Sequence, residues 1–160
     1  MNQVLVVEDS RLFGSLLKKK IDKELNLEVV WVQSFKEAEA LINSGNSDFF
    51  VGLLDLNLPD ASDGKIVDYV LSKGIPAIVF TGEFNDQVRE SIWAKKVVDY
   101  VIKESNHTLD YVVSVIKRIY QNRSVNILVV DDSNLFRTRI RDLLRVHLYN
   151  VIFYKCSIRE

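Results

Sequence analysis

The sequence predicts an α/β fold built on a doubly wound, parallel sheet of five strands. Short apolar runs rich in β-forming residues alternate along the chain with segments whose apolar residues keep helical spacing. The runs show no polar alternation, which is typical of strands buried on both faces of a parallel sheet. Short loops join the runs to the helical segments, and this order favours βαβ units with right-handed crossovers.

The first half of the predicted sheet contains three strands and two helices. The strands are expected at Val4–Val7, Val29–Val32 and Phe49–Leu54. Ser10 caps the first helix, and the apolar positions expected to face the core are Leu12, Phe13, Leu16, Leu17 and Ile21. Ser34 and Glu37 form a capping box at the start of the second helix.

The second half repeats this alternation, with strands expected at Ala77–Phe80 and Val97–Ile102. Gly74 ends the third helix, whose apolar residues are Ile66, Val67, Val70 and Leu71. The buried face of the fourth helix is expected to consist of Val88, Ile92 and Trp93. A long amphipathic fifth helix carries Leu109, Val112, Val113, Ile116, Ile119 and Tyr120. The first domain is therefore predicted at residues 1–122.

The chain then repeats its own beginning. Residues 126–136 follow the pattern of residues 3–13 at a displacement of 123 positions, as Asp132 is displaced from Asp9. The capping box returns as Ser157 and Glu160. A self-similarity of this length indicates a tandem duplication. Residues 123–160 are therefore interpreted as a linker and a partial β-α-β fragment of a second copy.

The predicted fragment lacks a counterpart of Asp55, whose position would lie beyond residue 160. A β-α-β unit of this size buries too little surface to fold by itself and has unpaired strand edges. We therefore expect residues 126–160 to pack on the first domain or to pair with another copy of the chain, as in a dimer.

Composition excludes several classes of function. The formal net charge of −1 gives no electrostatic reason to expect nucleic acid or an anionic membrane as a partner. Cys156 is the only cysteine, which excludes an intrachain disulfide and a cysteine zinc site. No run approaches the roughly 20 apolar residues of a membrane span, and no basic-then-apolar leader precedes Val4. A cytoplasmic protein is expected.

Polar residues cluster where the predicted strands end. Ligands of open α/β sheets bind outside the carboxyl ends of the strands, at the point where the first and third strands are neighbours. These ends carry Glu8-Asp9, Asp55, Thr81 and Lys103. Three converging carboxylates repel one another unless a cation is present, and Mg²⁺ suits oxygen ligands that share it with phosphate. The set is suited to phosphoryl transfer onto the Asp55 carboxylate.

Four segments resemble the signature segments of the receiver domains of two-component response regulators: Val6–Ser10, Leu54–Pro59, Phe80–Gly82 and Asp99–Lys103. The resemblance covers residues 1 to about 122 and implies a flavodoxin-like fold. It also implies that the fragment after residue 122 is the start of a second, tandem receiver domain.

By position, the resemblance assigns roles to the acidic residues. Asp55 resembles the phosphoacceptor and Asp9 a direct Mg²⁺ ligand. Glu8 resembles the ligand that acts largely through water, and Asn57 the one that offers its backbone carbonyl. The implied cofactor is Mg²⁺, and the implied partner is a sensor histidine kinase or a phosphotransfer protein. The chain is then a phosphoacceptor that assists only its own phosphorylation and dephosphorylation, and is no enzyme otherwise.

The remaining matched positions imply a switch. Lys103 resembles the lysine that pairs with the phosphoryl group. Thr81 and Tyr100 resemble the pair in which the hydroxyl moves to the phosphoryl group and the aromatic ring follows inward. The implied result is a change in the surface made by the fourth helix, fifth strand and fifth helix, where receivers of this family commonly dimerise or bind partners.

The sequence departs from the family pattern at three positions. Glu104 replaces the usual proline after the lysine, which leaves open whether the Lys103–Glu104 bond is cis. Gly64 lies one position late, which indicates a one-residue insertion near residues 61–63. Gly82 replaces the usual alanine beside Thr81. None of these changes removes a reacting group.

Two other functions remain open at this point. A phosphohydrolase of the haloacid dehalogenase type also uses an aspartate at a strand end, but it needs a second aspartate where Asn57 stands. A receiver-like module that binds partners without being phosphorylated is the other alternative. If Asp55 is phosphorylated, the polar pair Asn57 and Glu83 resembles short-lived receivers, with a lifetime of minutes or less.

Overall fold

A computed structural model describes residues 3–45, 48–82, 85–104 and 106–155 of the chain. These residues divide into two compact units, residues 1–115 and residues 116–160. Each unit is described by itself. Among the described residues, no helix is long and apolar enough to cross a membrane.

The first unit contains a five-stranded sheet in which all strands are parallel. Its strands are β1 (Gln3–Val7), β2 (Glu28–Val32), β3 (Phe49–Leu54), β4 (Ala77–Thr81) and β5 (Asp99–Ile102). Their order across the sheet is β2-β1-β3-β4-β5. Every residue of β3 is buried, as the unbroken apolar run predicts for a central strand. The predicted α/β, flavodoxin-like fold with a parallel sheet of five strands is confirmed.

A helix follows each strand of this sheet. They are α1 (Arg11–Leu25), α2 (Phe35–Asn43), α3 (Lys65–Ser72), α4 (Asp86–Ala94) and α5 (Asn106–Asn122), and α5 continues into the second unit. The Ser10 hydroxyl accepts from the Phe13 amide at the start of α1, as predicted. The Ser34 hydroxyl accepts from the Glu37 amide at 3.2 Å, whereas the Glu37 carboxylate accepts from Gln33, one residue before the expected partner.

Two predicted helix faces are wider than the observed ones. In α1, Leu17 and Ile21 are buried, but Leu12 is 65% and Leu16 is 40% exposed. In α4, Ile92 is buried and Trp93 is 41% exposed. The buried stripe of α1 follows the i, i+3, i+7 row through Gly14, so residues flanking that row remain at the surface. The prediction that Leu12, Leu16 and Trp93 face the core was wrong.

The loop after β3 is held by contacts of its own and by contacts with α2. Leu58 and Ala61 form an isolated antiparallel bridge, and Asp63 and Gly64 adopt positive φ angles of 60° and 71°. The carboxylate of Asp60 accepts from two backbone amides, Phe35 at 2.8 Å and Lys36 at 2.9 Å, at the start of α2. This loop is where the sequence indicated an extra residue.

The second unit contains the end of α5 followed by a β-α-β arrangement. Its elements are β6 (Asn126–Asp131), α6 (Asn134–Val146) and β7 (Asn150–Lys155), and β6 and β7 are parallel. Ser133 caps α6 as Ser10 caps α1, with its hydroxyl accepting from the Phe136 amide at 3.3 Å. The predicted capping box of Ser157 and Glu160 lies outside the described residues.

Candidate functional site

Strand pairing brings the acidic residues of the first unit together. Glu8 and Asp9 follow β1, and Asp55 follows β3. The Asp55 amide donates to the Val7 carbonyl at 2.9 Å, which extends the β1–β3 pairing by one residue. Ligand oxygens of Glu8, Asp9 and Asp55 all lie within 4.8 Å of one another. Glu8 and Asp55 are buried and Asp9 is exposed, so the cluster opens to solvent on the side of Asp9.

Lys103 lies among these carboxylates. Its backbone amide donates to the Thr81 carbonyl at 2.8 Å, directly after β5. Its ammonium lies 2.7 Å from Glu8 Oε2 and 2.5 Å from Asp55 Oδ2, with 8% of the side chain exposed. The predicted convergence of these strand ends is therefore present in the structure.

Two aromatic rings form the wall beside the lysine. Lys103 Nζ lies 5.2 Å from the ring centroid of Phe13 and 5.1 Å from that of Phe80. The two rings meet edge to face, with centroids 6.0 Å apart. Ring faces attract a cation, and their apolar bulk keeps water from the ion pairs. We had assigned Phe13 only to the apolar stripe of α1, because nothing in the sequence indicates that its ring reaches the strand ends.

The pKa of the Glu8 carboxyl is shifted by its surroundings. Burial raises the pKa of the Glu8 carboxyl, the hydrogen bond and charge of Lys103 lower it, and the charge of Asp55 raises it again, for a net upward shift. Glu8 Oε1 accepts from the Ser10 amide at 3.3 Å. Among the described residues, the Lys103 ammonium is paired with Glu8 and Asp55, and Asp9 is the third carboxylate of the cluster.

The donor set fits a hard divalent cation. Glu8 Oε2 is buried and accepts no hydrogen bond of normal geometry among the described residues, although the Lys103 ammonium lies beside it. Carboxylate oxygens in a partly open cluster are the ligands that Mg²⁺ takes while it keeps several waters. The residues present could therefore hold Mg²⁺.

The Asp55 carboxylate is held from two sides. Oδ1 accepts from the Asn57 amide at 3.1 Å, and Oδ2 faces Lys103. The Asn57 side chain is exposed. This arrangement fixes the orientation of the carboxylate that the sequence singled out.

The two residues of the predicted switch lie on neighbouring strands. Thr81 is fully buried at the end of β4, and Tyr100 is buried in β5, where it pairs with Val79. Asp99 accepts from the Tyr111 hydroxyl at 2.7 Å, which joins β5 to α5 beside Tyr100.

The departures from the family pattern leave the site assembled. No peptide bond among the described residues is cis, so the Lys103–Glu104 bond is trans. Gly82 is exposed next to Thr81. Glu83, expected to flank the path of an attacking water, lies outside the described residues.

Sequence reasoning also missed Trp31, whose indole nitrogen donates to the Glu8 carbonyl at 2.8 Å. The signal available in the sequence was Gly14, an unfavourable residue within a helix, in the first turn of α1. A Cβ atom at Gly14 would lie 2.1 Å from Trp31 Cε2.

The sequence profile of the response regulator receiver domain matches residues 4–112. Comparison with curated protein sequences gave no match. Among solved structures, two response regulator/GGDEF domain proteins of two-component systems superpose with TM-scores of 0.84 and 0.83, at 33% and 34% identity. Each superposition covers 96% of this chain, which spans 61% of the length of either protein.

Two more distant structures show the fold alone. The phosphorylated cyanobacterial phytochrome response regulator RcpA has 24% identity and a TM-score of 0.67, covering 78% of this chain and 96% of its own. The Mn²⁺-bound form of response regulator Rcp1 has 24% identity and a TM-score of 0.64, covering 75% of this chain and 94% of its own.

Proposed function

This chain belongs to the receiver-domain family of two-component response regulators, and from that premise we propose that Asp55 accepts a phosphoryl group from a histidine kinase or phosphotransfer protein in the presence of Mg²⁺. The observation that carries the proposal is the Asp55 carboxylate, held between Lys103 and the Asn57 amide beside two further carboxylates. A buried, oriented carboxylate next to a fixed cation is a nucleophile prepared for an anionic substrate.

The residues of the chain position and neutralise the reactants. One Asp55 oxygen forms the bond to phosphorus while the bond from phosphorus to the donor's nitrogen breaks, and the donor nitrogen keeps that electron pair. Lys103 offsets the charge of a phosphoryl oxygen once Asp55 carries the acyl phosphate. Glu8, Asp9, Asp55 and the Asn57 backbone carbonyl would hold the Mg²⁺ ion. When bound, the ion neutralises phosphoryl oxygens in the transition state.

The protein acts through a change of surface and is not an enzyme beyond its own phosphorylation and dephosphorylation. The Thr81 hydroxyl moves to the phosphoryl group, Tyr100 follows, and the surface of α4, β5 and α5 changes for a downstream domain or partner. A cleft of about 420 Å³ on this surface, lined in part by Arg89, Tyr100 and Tyr111, supports the proposal that a partner binds there. No role in nucleic-acid or membrane binding is assigned to these residues.

Residues 123–160, which include the β-α-β arrangement of the second unit, are proposed to be a linker and the start of a tandem receiver. The repeat of residues 3–13, the parallel β6–β7 pair and the Ser133 cap support this assignment. The superpositions that cover 96% of the chain support it as well. Asp131 and Asp132 are then the acidic pair of that receiver. Homodimers through α4-β5-α5 or through the second unit, and a cytoplasmic location, remain proposals.

One residue argues against the first alternative function, and one experiment tests the second. Asn57 stands where a haloacid dehalogenase-type phosphohydrolase needs its general acid, so hydrolysis of free substrates is disfavoured. A binding module that is not phosphorylated would leave Asp55 unused.

Beryllofluoride, a phosphoryl mimic, distinguishes a phosphoacceptor from such a module. We expect it to change tryptophan emission with Mg²⁺ present, in wild type and not in Asp55→Asn. Trp93, on the exposed side of α4, is the expected reporter. Unchanged emission in wild type would favour the binding module.

A phosphoryl lifetime of minutes or less is predicted for Asp55, because Asn57 is polar and exposed beside the acceptor. The measurement follows the decay of the adduct by intact mass after the phosphodonor has been removed. Replacing Asn57 with an apolar residue should slow the decay. A wild-type adduct that persists for many hours with Mg²⁺ present would contradict the prediction.

A further inference from the structure

Both backbone polar groups of Glu8, its amide and its carbonyl, form hydrogen bonds with residues of β2. Its amide donates to the Val32 carbonyl at 3.0 Å, and its carbonyl accepts from the Trp31 indole nitrogen at 2.8 Å. Both carboxylate oxygens also have neighbours, since Oε1 accepts from Ser10 and Oε2 faces Lys103. The direction of the Glu8 side chain therefore depends on the indole contact that fixes its backbone.

The indole occupies space that α1 leaves for it. A Cβ atom at Gly14 would lie 2.1 Å from Cε2, 2.3 Å from Cζ2 and 2.5 Å from Nε1 of Trp31. These are aromatic atoms near the backbone of a packed helix, so they cannot move aside as the end of a flexible side chain would. Gly14 is not among the glycines with a positive φ angle, so its backbone conformation does not require glycine. Glycine is needed here because a side chain would collide with the indole ring.

The repeated unit supplies an independent comparison. Its β6–β7 register places Phe153 opposite Val129, as Trp31 lies opposite Val6, and the displacement of 123 positions places Arg137 at the position of Gly14. The Phe153 side chain has no N–H group. The Arg137 guanidinium instead donates to the Asp131 carbonyl, the counterpart of the Glu8 carbonyl. Both units thus provide a side-chain donor for the same carbonyl, from different positions.

We propose that Trp31 is a positioning residue for the cation site: its indole N–H holds the Glu8 carbonyl and thereby aims the Glu8–Asp9 carboxylates, and Gly14 admits the ring. This role rests on the proposed function, because it requires that the acidic cluster binds Mg²⁺. Trp31 touches neither the phosphoacceptor nor the lysine in the described contacts, so it acts through Glu8 alone.

The test measures initial rates of phosphorylation by a small phosphodonor as a function of Mg²⁺ concentration. Trp31→Phe keeps an aromatic ring and removes the donor. We expect it to raise the Mg²⁺ concentration for half-maximal rate about three- to tenfold, the range for losing one hydrogen bond that orients a metal ligand. The rate at saturating Mg²⁺ should stay within about twofold of wild type, because Asp55 and Lys103 are unchanged. Trp93→Phe removes the other, surface tryptophan and is the matched control, with no expected change.

The rescue variant is Gly14→Arg combined with Trp31→Phe, which copies the donor arrangement of the second unit. We expect it to restore the Mg²⁺ dependence towards that of wild type. Should this pair fail to fold, as judged by circular dichroism, the single Trp31→Phe variant still decides the question.

Other outcomes overturn the proposal. An unchanged Mg²⁺ half-saturation in Trp31→Phe would mean that the indole only packs between α1 and β2. A lower maximal rate with the same half-saturation would also assign it a purely structural role. A wild-type protein whose phosphorylation does not depend on Mg²⁺ would instead refute the proposed function itself, and the role of Trp31 with it.

Discussion

Lys103 is the residue on which the electrostatics of the isolated site depend. Its ammonium is the charge that faces both Glu8 and Asp55 among the described residues, and its side chain is almost fully buried. Without it, two buried carboxylates would face each other with no compensating charge. We predict that Lys103→Met lowers the free energy of unfolding by about 3–5 kcal/mol near neutral pH without Mg²⁺. Chemical denaturation measures this loss.

The matched control is Lys95→Met. Lys95 also pairs with a carboxylate, Asp68 at 2.6 Å, but these two side chains are 26% and 60% exposed. An exposed pair contributes at most about 1 kcal/mol. Equal losses in the two variants would contradict the account, since they would show that burial of the Lys103 pairs has no energetic consequence. Added Mg²⁺ should reduce the loss in Lys103→Met and leave that in Lys95→Met unchanged.

At this scale the sequence predicted the reacting groups well and their surroundings poorly. Glu8, Asp9, Asp55 and Lys103 converge as expected, because each directly follows a strand and parallel strands place their carboxyl ends at one edge. Phe13 and Trp31 were missed as site residues. Their roles depend on the direction of a ring from a neighbouring element, which periodicity along one element does not report.

At the scale of elements, the loop after β3 is tied to α2 through Asp60. Partial loss of solvent raises the pKa of the Asp60 carboxyl. The hydrogen bonds from the backbone amides of Lys36 and Phe35 lower that pKa by more, so the net shift is downward. The loop carries Asn57, whose amide holds Asp55. The Asp60 contact therefore stabilises both the start of α2 and the loop beside the phosphoacceptor.

The pH dependence of stability follows from the sign of that shift. A carboxyl group whose pKa is lower in the folded state contributes stability above its unfolded pKa, about 3.9 for aspartate. That contribution is lost as the pH falls through the folded-state pKa. We therefore predict that Asp60→Ala is destabilised relative to wild type at pH 7, and that the difference shrinks as the pH falls below about 4.

Urea denaturation across this pH range checks the prediction, and Asp22→Ala on the exposed side of α1 is the control. A difference between Asp60→Ala and wild type that stays constant from pH 7 to pH 3 would show that the ionised carboxylate is not the stabilising group.

The sequence did not predict where β5 begins or which side of α4 carries Trp93. The strand expected at Val97–Ile102 begins at Asp99, although Val97 and Val98 are buried. These two residues are buried by packing although they lie outside the strand. An apolar run in the sequence does not distinguish buried strand residues from buried residues that precede a strand. Trp93 was assigned to the buried face of α4, but it lies next to Ile92 and so points about 100° away around the helix.

At the scale of the whole molecule, the second unit has an apolar sheet face. Leu128 and Val130 of β6 and Ile152 and Tyr154 of β7 are exposed. Their counterparts in the first unit are Leu5 and Val7 of β1, which belong to the hydrophobic core, and Val30 and Val32 of β2, which pack against it. The face that a complete receiver covers is thus the one left open in the repeat.

We predict that this face is covered in solution, either by the first unit or by a second copy of the chain. Hydrogen exchange should then show protection of the β6 and β7 amides, and Leu128→Asp should reduce that protection. Analytical ultracentrifugation separates the two arrangements, since only the second makes a dimer that Leu128→Asp dissociates. A monomer with no protected amides in residues 126–155 would refute the prediction. Leu12→Asp, an exposed leucine on α1, is the matched control.

The architecture of the first unit was predictable from alternating strands and helices, because right-handed crossovers leave few ways to arrange five parallel strands. The repeat of the pattern of residues 3–13 at residues 126–136 was visible in the sequence as well. The sequence did not indicate which of the two expected partners covers the second unit, since that choice depends on surfaces that local patterns do not specify.

The central claim is that Asp55 is phosphorylated with the help of Mg²⁺, and intact mass tests it most directly. Wild type and Asp55→Asn are incubated with a small phosphodonor and Mg²⁺, with parallel samples in EDTA. The account predicts one added phosphoryl group on wild type with Mg²⁺ and none on Asp55→Asn or in EDTA. No adduct on wild type, or an equal adduct on Asp55→Asn, would contradict it.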